Sequence, residues 1–114
     1  MLPRTTRMGQ EQLNNYVLLV TDADASTTVK MSVANRVVHA RMTSSNTVTI
    51  ELPAVAEAAG LIFVVRAITD GGGVKIQDKD DSMEWTDPTT DADGEYGIYY
   101  SDGFQWFVLV TDIT

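Results

Sequence analysis

Sixteen carboxylates and a single histidine are the side chains from which acid–base or metal chemistry would have to be built in this 114-residue chain, because cysteine is absent. A nucleophilic serine needs an imidazole base beside it, oriented in turn by a third group. His39 is the one imidazole, and it sits in RVVHARM (36–42), an alternating stretch with no catalytic context. It reads as a structural or interfacial histidine. Paired carboxylates can hydrolyse glycosides, and eight of the acids crowd into DKDDSMEWTDPTTDADGE (78–95) beside one lysine. Catalytic carboxylates need a shaped, partly apolar site that shifts their pKa values. A polar run of this kind reads instead as a solvated loop.

Two short motifs come close to a ligand site and miss. DADGE (91–95) has acids at alternate positions before a glycine, as a calcium loop does. The full pattern also needs a first ligand where Thr89 stands and a glutamate where Tyr100 stands. DGGG (70–73) has the glycines of a phosphate cradle, but it leads into the strand-like VKIQ rather than a helix N-terminus. The expectation is no enzyme, no metal site and no cofactor. The remaining side chains with chemistry to offer are aromatic. Trp85, Tyr96, Tyr99 and Tyr100 are of types that serve in cores, interfaces and sugar platforms, and core or interface is the expected use.

Charge separates along the chain. Residues 1–50 hold five basic and three acidic residues, a balance of +2, and residues 51–114 hold three and thirteen, a balance of −10. So acidic a half repels nucleic acid phosphates, and nucleic-acid binding is not expected. Hydrophobic residues make up 44% of the chain, and no apolar run approaches the roughly 18 residues of a membrane span. MLPRTTRMGQEQLNN has two arginines with no apolar stretch behind them, so neither a membrane partner nor a secretory signal is expected.

The elements that must position these residues read as strands. Residues 1–13 show neither period and are expected to form an extended arm, leaving 14–114 as one domain of ordinary size. YVLLV (16–20), TTVKMSV (27–33), RVVHARM and TVTIEL (47–52) are strand-sized runs. Alternation puts Val38, Ala40 and Met42 opposite Val37, His39 and Arg41, and turns Val48, Ile50 and Leu52 inward. Pro53 should end its strand, and AVAEAAG (54–60) suits one or two helical turns closed by Gly60. LIFVVRAIT (61–69), apolar on both faces, should be the central strand and should form a hairpin with VKIQ (74–77) through DGGG. SMEWT (82–86) is a further short strand, and EYGIYY and FQWFVLV close the domain as a hairpin about SDG (101–103). The fold expected is all-β: an antiparallel, jelly-roll-like β-sandwich with one short Ala-rich helical turn and an N-terminal arm.

The last of these strands is the most hydrophobic. Simple alternation puts Phe104, Trp106, Val108 and Val110 on one face and Phe107 and Leu109 on the other. A strand apolar on both faces has to be covered twice.

The run NTVTIELPAVAEAAGLIFVVRAITDGGGVKI, followed after the acidic loop by GIYYSDGFQWFVLV, resembles a module of tailed-phage virion proteins found in tail and head fibres and in small capsid decoration (cement) proteins. The shared elements are the Val48–Ile50 strand, Leu52-Pro53, Gly60, the Phe63–Ile68 strand, Val74 and Ile76, the Ser101–Gly103 turn and Trp106. The chain has DSMEWTDP where that module carries an Ile-Asp-Gly turn. The resemblance implies a subunit that trimerises about a threefold axis. One domain with a short arm suits a decoration protein on the capsid surface of the virion, made in the host cytoplasm, with the major capsid protein and itself as partners. Leu2, Pro3, Arg4 and Arg7 would then dock the arm on an acidic capsid, through the bidentate pairing that arginine offers carboxylates. Phe104, Trp106, Phe107 and Leu109 would form the subunit interface. The alternative is a fibre module that binds a host receptor or glycan.

Overall fold

The computed structural model describes residues 17–79 and 88–113. Alternating apolar and polar residues build eight short strands: β1 (Val17–Thr21), β2 (Thr28–Lys30), β3 (Val37–Arg41), β4 (Val48–Leu52), β5 (Ile62–Thr69), β6 (Val74–Asp78), β7 (Tyr96–Ser101) and β8 (Trp106–Thr111). They form two sheets, one of five strands in the order β1-β3-β5-β7-β8 and one of three in the order β2-β4-β6. Val38, Ala40, Phe63, Val65 and Ala67 from the large sheet meet Val48, Ile50, Leu52, Val74 and Ile76 from the small one in a single buried core. The inward side expected for the segment holding β4 is the one observed, and of the two faces read for the segment holding β3, that of Val38, Ala40 and Met42 is the buried one.

The pairing is not the antiparallel one expected. β1 to β6 alternate between the sheets, so each pair of consecutive strands makes one coil, and the coils stack with β1, β3 and β5 parallel and β2, β4 and β6 parallel. The 61–77 hairpin is therefore absent, since β5 and β6 lie in different sheets. DGGG carries the chain across the core rather than back along one sheet. Parallel neighbours need a crossover, and here the strand in the opposite sheet supplies it. Only the last strands are antiparallel: β7 pairs with β5 and β8 with β7. Pro88 to Thr90 likewise run antiparallel to β6, with the Ile76 N–H on Pro88 O at 2.9 Å and the Thr90 N–H on Val74 O at 3.1 Å.

The turns that carry β1 to β2, β3 to β4 and β5 to β6 stack at one end of the molecule. The Asp22 carboxylate accepts the N–H of Thr43 (2.9 Å) and of Ser44 (3.1 Å), together with both of their hydroxyls. The Gly72 N–H donates to Asn46 O at 3.1 Å, and the Thr47 hydroxyl donates to Gly72 O at 3.0 Å. A Cβ on Gly72 would stand 2.1 Å from Ser45 O, so contact between successive turns requires glycine there. Asp22–Asp24 is a single 3-10 turn capped by Thr21. The Ala-rich segment makes a single turn, with the N–H groups of Glu57 (3.0 Å) and Ala58 (3.2 Å) both on Ala54 O, and Gly60 follows with φ +78°. Among the described residues no helix is long and apolar enough to cross a membrane. The expected strand at 82–86 lies outside the described residues.

Candidate interaction surface

The outward side of the five-stranded sheet is where this fold leaves chemistry exposed. Register sets Val17, Val37, Val64, Ile98 and Val110 in one row across all five strands. A second row joins Ile62 to Tyr100 and Phe107, with the Tyr100 and Phe107 rings stacked at 5.4 Å. Leu19 (65% exposed), Leu109 (53%), Ile62 (51%) and Val110 (44%) stand open to solvent on these strands. Sheets made of parallel strands are normally covered on both faces. Here Val17, Val37, Val64, Ile98, Tyr100 and Phe107 are only half-buried.

A third row carries the charge: Leu19, His39, Arg66 and Tyr96 lie side by side, and the Arg66 guanidinium sits 5.5 Å from the Tyr96 ring centroid. Such a contact between cation and ring holds the guanidinium at the surface. Arg41, on the same side of β3 as His39, adds a further cation. None of the five strands contains an acidic residue, although the chain as a whole has a net charge of −8.

The end of β8 departs from simple alternation. A β-bulge falls between the pairs Ile98–Val110 and Tyr99–Val108, leaving Leu109 as the extra residue. Val110 therefore turns outward with Phe107 rather than inward with Trp106 and Val108. The last strand is also an edge of its sheet, because it pairs with β7 alone; its inward face is covered by the core, and Leu109 and Val110 are left exposed. Of the four residues expected at a subunit interface, Phe107 and Leu109 lie on β8 outside the core. Trp106 is fully buried: its ring meets Phe63 edge-on at 5.2 Å, and its indole N–H donates to Pro53 O at 3.1 Å. It offers no surface to a partner.

Phe104 is not in the strand at all. It projects from the turn joining β7 to β8 and is 87% exposed. That turn is held firmly. Asp102 Oδ1 accepts the N–H of Phe104 (2.8 Å) and of Gln105 (2.9 Å). The Ser101 hydroxyl accepts the Gly103 N–H at 3.0 Å and donates to Val55 O at 2.8 Å. Gly103 takes φ +96°, which a side chain would strain. The SDG signal marked the turn in the sequence, whereas its fixed geometry and the exposed ring could be found only in three dimensions. The arm residues Leu2, Pro3, Arg4 and Arg7 lie outside the described residues, as does Trp85.

The other candidate chemistry stays dispersed. Among the described residues no three His, Asp or Glu side chains converge as a metal site would require. In DADGE the Glu95 carboxylate folds back to accept the Asp91 N–H at 2.6 Å, which makes the motif a closed turn. A hollow of about 110 Å³ lies over the C-terminal ends of the small sheet, lined by Lys30, Lys79, Glu51 and Glu57 among others. It is well below the roughly 300 Å³ of a usual small-molecule site. Comparison of the chain with protein-family models, curated proteins and solved structures gives no match.

Proposed function

We propose that the protein is an assembly subunit without enzymatic activity: a capsid decoration (cement) protein that binds the outer capsid lattice as a trimer and stabilises the head. The observation that carries this reading is the outward face of the large sheet, with its apolar rows and exposed Ile62, Leu109 and Val110. Contiguous apolar surface of this kind marks a site of association. The resemblance of residues 46–114 to virion modules supplies the setting, with the major capsid protein and further copies of this chain as partners.

Such a subunit works by mass action. By binding the intact lattice and not the ruptured one, it stabilises the intact state in proportion to its occupancy. Weak single contacts suffice, because a trimer with three arms raises the effective concentration of the second and third contact. Leu2, Pro3, Arg4 and Arg7 are the proposed docking residues of each arm. The test is immunogold electron microscopy, with antibody to the purified protein, on virions assembled in cells that make it. Gold over the heads supports decoration, gold over tails or fibres supports the receptor-binding alternative, and virions without label overturn both.

A further inference from the structure

We infer that copies of this chain associate head to tail, with the Asp102–Phe104 tip of one seated on the outward face of the large sheet of the next. The inference deepens the assembly reading by naming its self-interface, and it rests on that reading only for the trimeric stoichiometry.

The tip is built to present an anchor. Phe104 belongs neither to the core nor to the half-buried residues packed against it, and it is the most exposed large hydrophobic side chain among the described residues. Yet its backbone is held on both sides, by the Asp102 carboxylate and by the Ser101 hydroxyl. A ring presented on a turn that is already ordered loses little freedom on binding, which is how an anchor gains affinity. The receiving face offers aromatic and aliphatic surface at Tyr100, Phe107, Ile98 and Val110.

Charge selects the occupant. Arg41, His39 and Arg66 border the apolar rows, and no acid lies on any of the five strands. Asp112, bonded through its N–H to Tyr96 O at 2.9 Å, is the one carboxylate at the end of the cationic row, so two such faces packed together would set a pair of arginines on each side against a single acid. Residues 1–16 bring Arg4 and Arg7 against Glu11 alone, so that segment adds positive charge and does not complement the face. The tip carries Asp102 two residues from Phe104, so one contact brings both the ring and a second carboxylate to a face where Arg41 and Arg66 outnumber Asp112. An interface between unlike patches leaves a free tip at one end and a free face at the other. It closes when the rotation completes a ring.

Two variants and their mixture test this. F104E removes the anchor and keeps the face, and V110E blocks the face and keeps the tip. Both positions are exposed, and far-UV circular dichroism matching the wild type will confirm folding, since loss of assembly by itself lowers a thermal midpoint. If V110E unfolds, I62E replaces it. By light scattering the wild type is expected at three protomer masses and each variant at one. An equimolar mixture is expected to recover a species of two protomer masses and none larger, because one complementary pair of surfaces survives. R66E should weaken association of the wild type at least tenfold. A wild type that stays monomeric, variants that keep its mass, or a mixture that stays monomeric each overturns the inference. The head-binding reading, judged by gold on virions, stands or falls separately.

Discussion

The hydroxyl of Tyr99 lies 2.0 Å from where a Cβ on Gly97 would stand, and Cζ of the same ring lies 2.4 Å from that point. The two residues share the inward side of β7, two positions apart, and the fully buried ring lies along the strand over the glycine. Burial also pushes the Tyr99 hydroxyl well above its ordinary pKa, so it stays protonated at neutral pH. Gly97→Ala forces a buried ring off its packing, and overpacking of this kind costs about 1–3 kcal/mol. Urea denaturation should show that loss in the midpoint. A midpoint equal to that of the wild type would mean the ring is free to move.

Trp106 and Phe104, two residues apart in sequence, should respond in opposite ways. Trp106→Phe keeps an aromatic ring against Phe63 but strips Pro53 O of its indole donor. A buried acceptor left without its partner costs about 1–3 kcal/mol. Phe104→Ala removes a side chain that is 87% exposed, and surface changes of that sort stay within about 0.5 kcal/mol. Thermal unfolding of the two variants side by side, at protein concentrations dilute enough to hold the wild type monomeric, checks the contrast. Equal losses would mean the tip packs into the core.

Strand positions and inward sides were legible in the sequence because a period of two depends only on which residues face the core. VTIEL at β4 and VVHAR at β3 show their buried sides plainly. The same period is blind to strand direction, so DGGG between two apolar runs read as a hairpin when it is a crossing between sheets. No repeated motif betrays the coils: Val17 pairs with Val37, but Val37 pairs with Val64, so the repeat lengthens from one coil to the next. On the outward face, Phe107 was legible from alternation and Val110 was not, since the bulge at Leu109 reverses the side of everything after it. The cationic row was hidden for a further reason. His39, Arg66 and Tyr96 are far apart in sequence and meet only through the register of three strands.

The glycines of the crossing turns should separate close approach from backbone strain. Gly72 has its would-be Cβ 2.1 Å from the carbonyl oxygen of Ser45, a backbone atom that cannot swing aside. Gly94 has open space around its Cβ position and differs only in its φ of +85°. Gly94→Ala should then cost about 1–2 kcal/mol, the usual penalty for a left-handed residue with a side chain. Gly72→Ala should cost more, because the turns around residues 45 and 72 have to separate and the bond from the Gly72 N–H to Asn46 O goes with them. Denaturant midpoints rank the two, and the reverse order would show that the stacked turns yield easily.

The same stack makes stability depend on pH through Asp22. Its carboxylate accepts the Thr43 hydroxyl first of all, then the Ser44 N–H, the Thr43 N–H and the Ser44 hydroxyl, and these bonds hold its pKa below the ordinary aspartate value. A carboxyl with a depressed folded pKa stabilises the fold fully above its unfolded pKa, near 4. That contribution fades as pH falls from there through the folded value, because the unfolded chain takes up the proton first. Asp22→Asn removes the titration while keeping an acceptor oxygen. The variant should therefore be less stable than the wild type at pH 7, with the difference shrinking as the pH is lowered from 5 to 2.5. Urea midpoints for both proteins across that range decide it. A gap that stays constant with pH would assign the effect of Asp22 to shape rather than to charge.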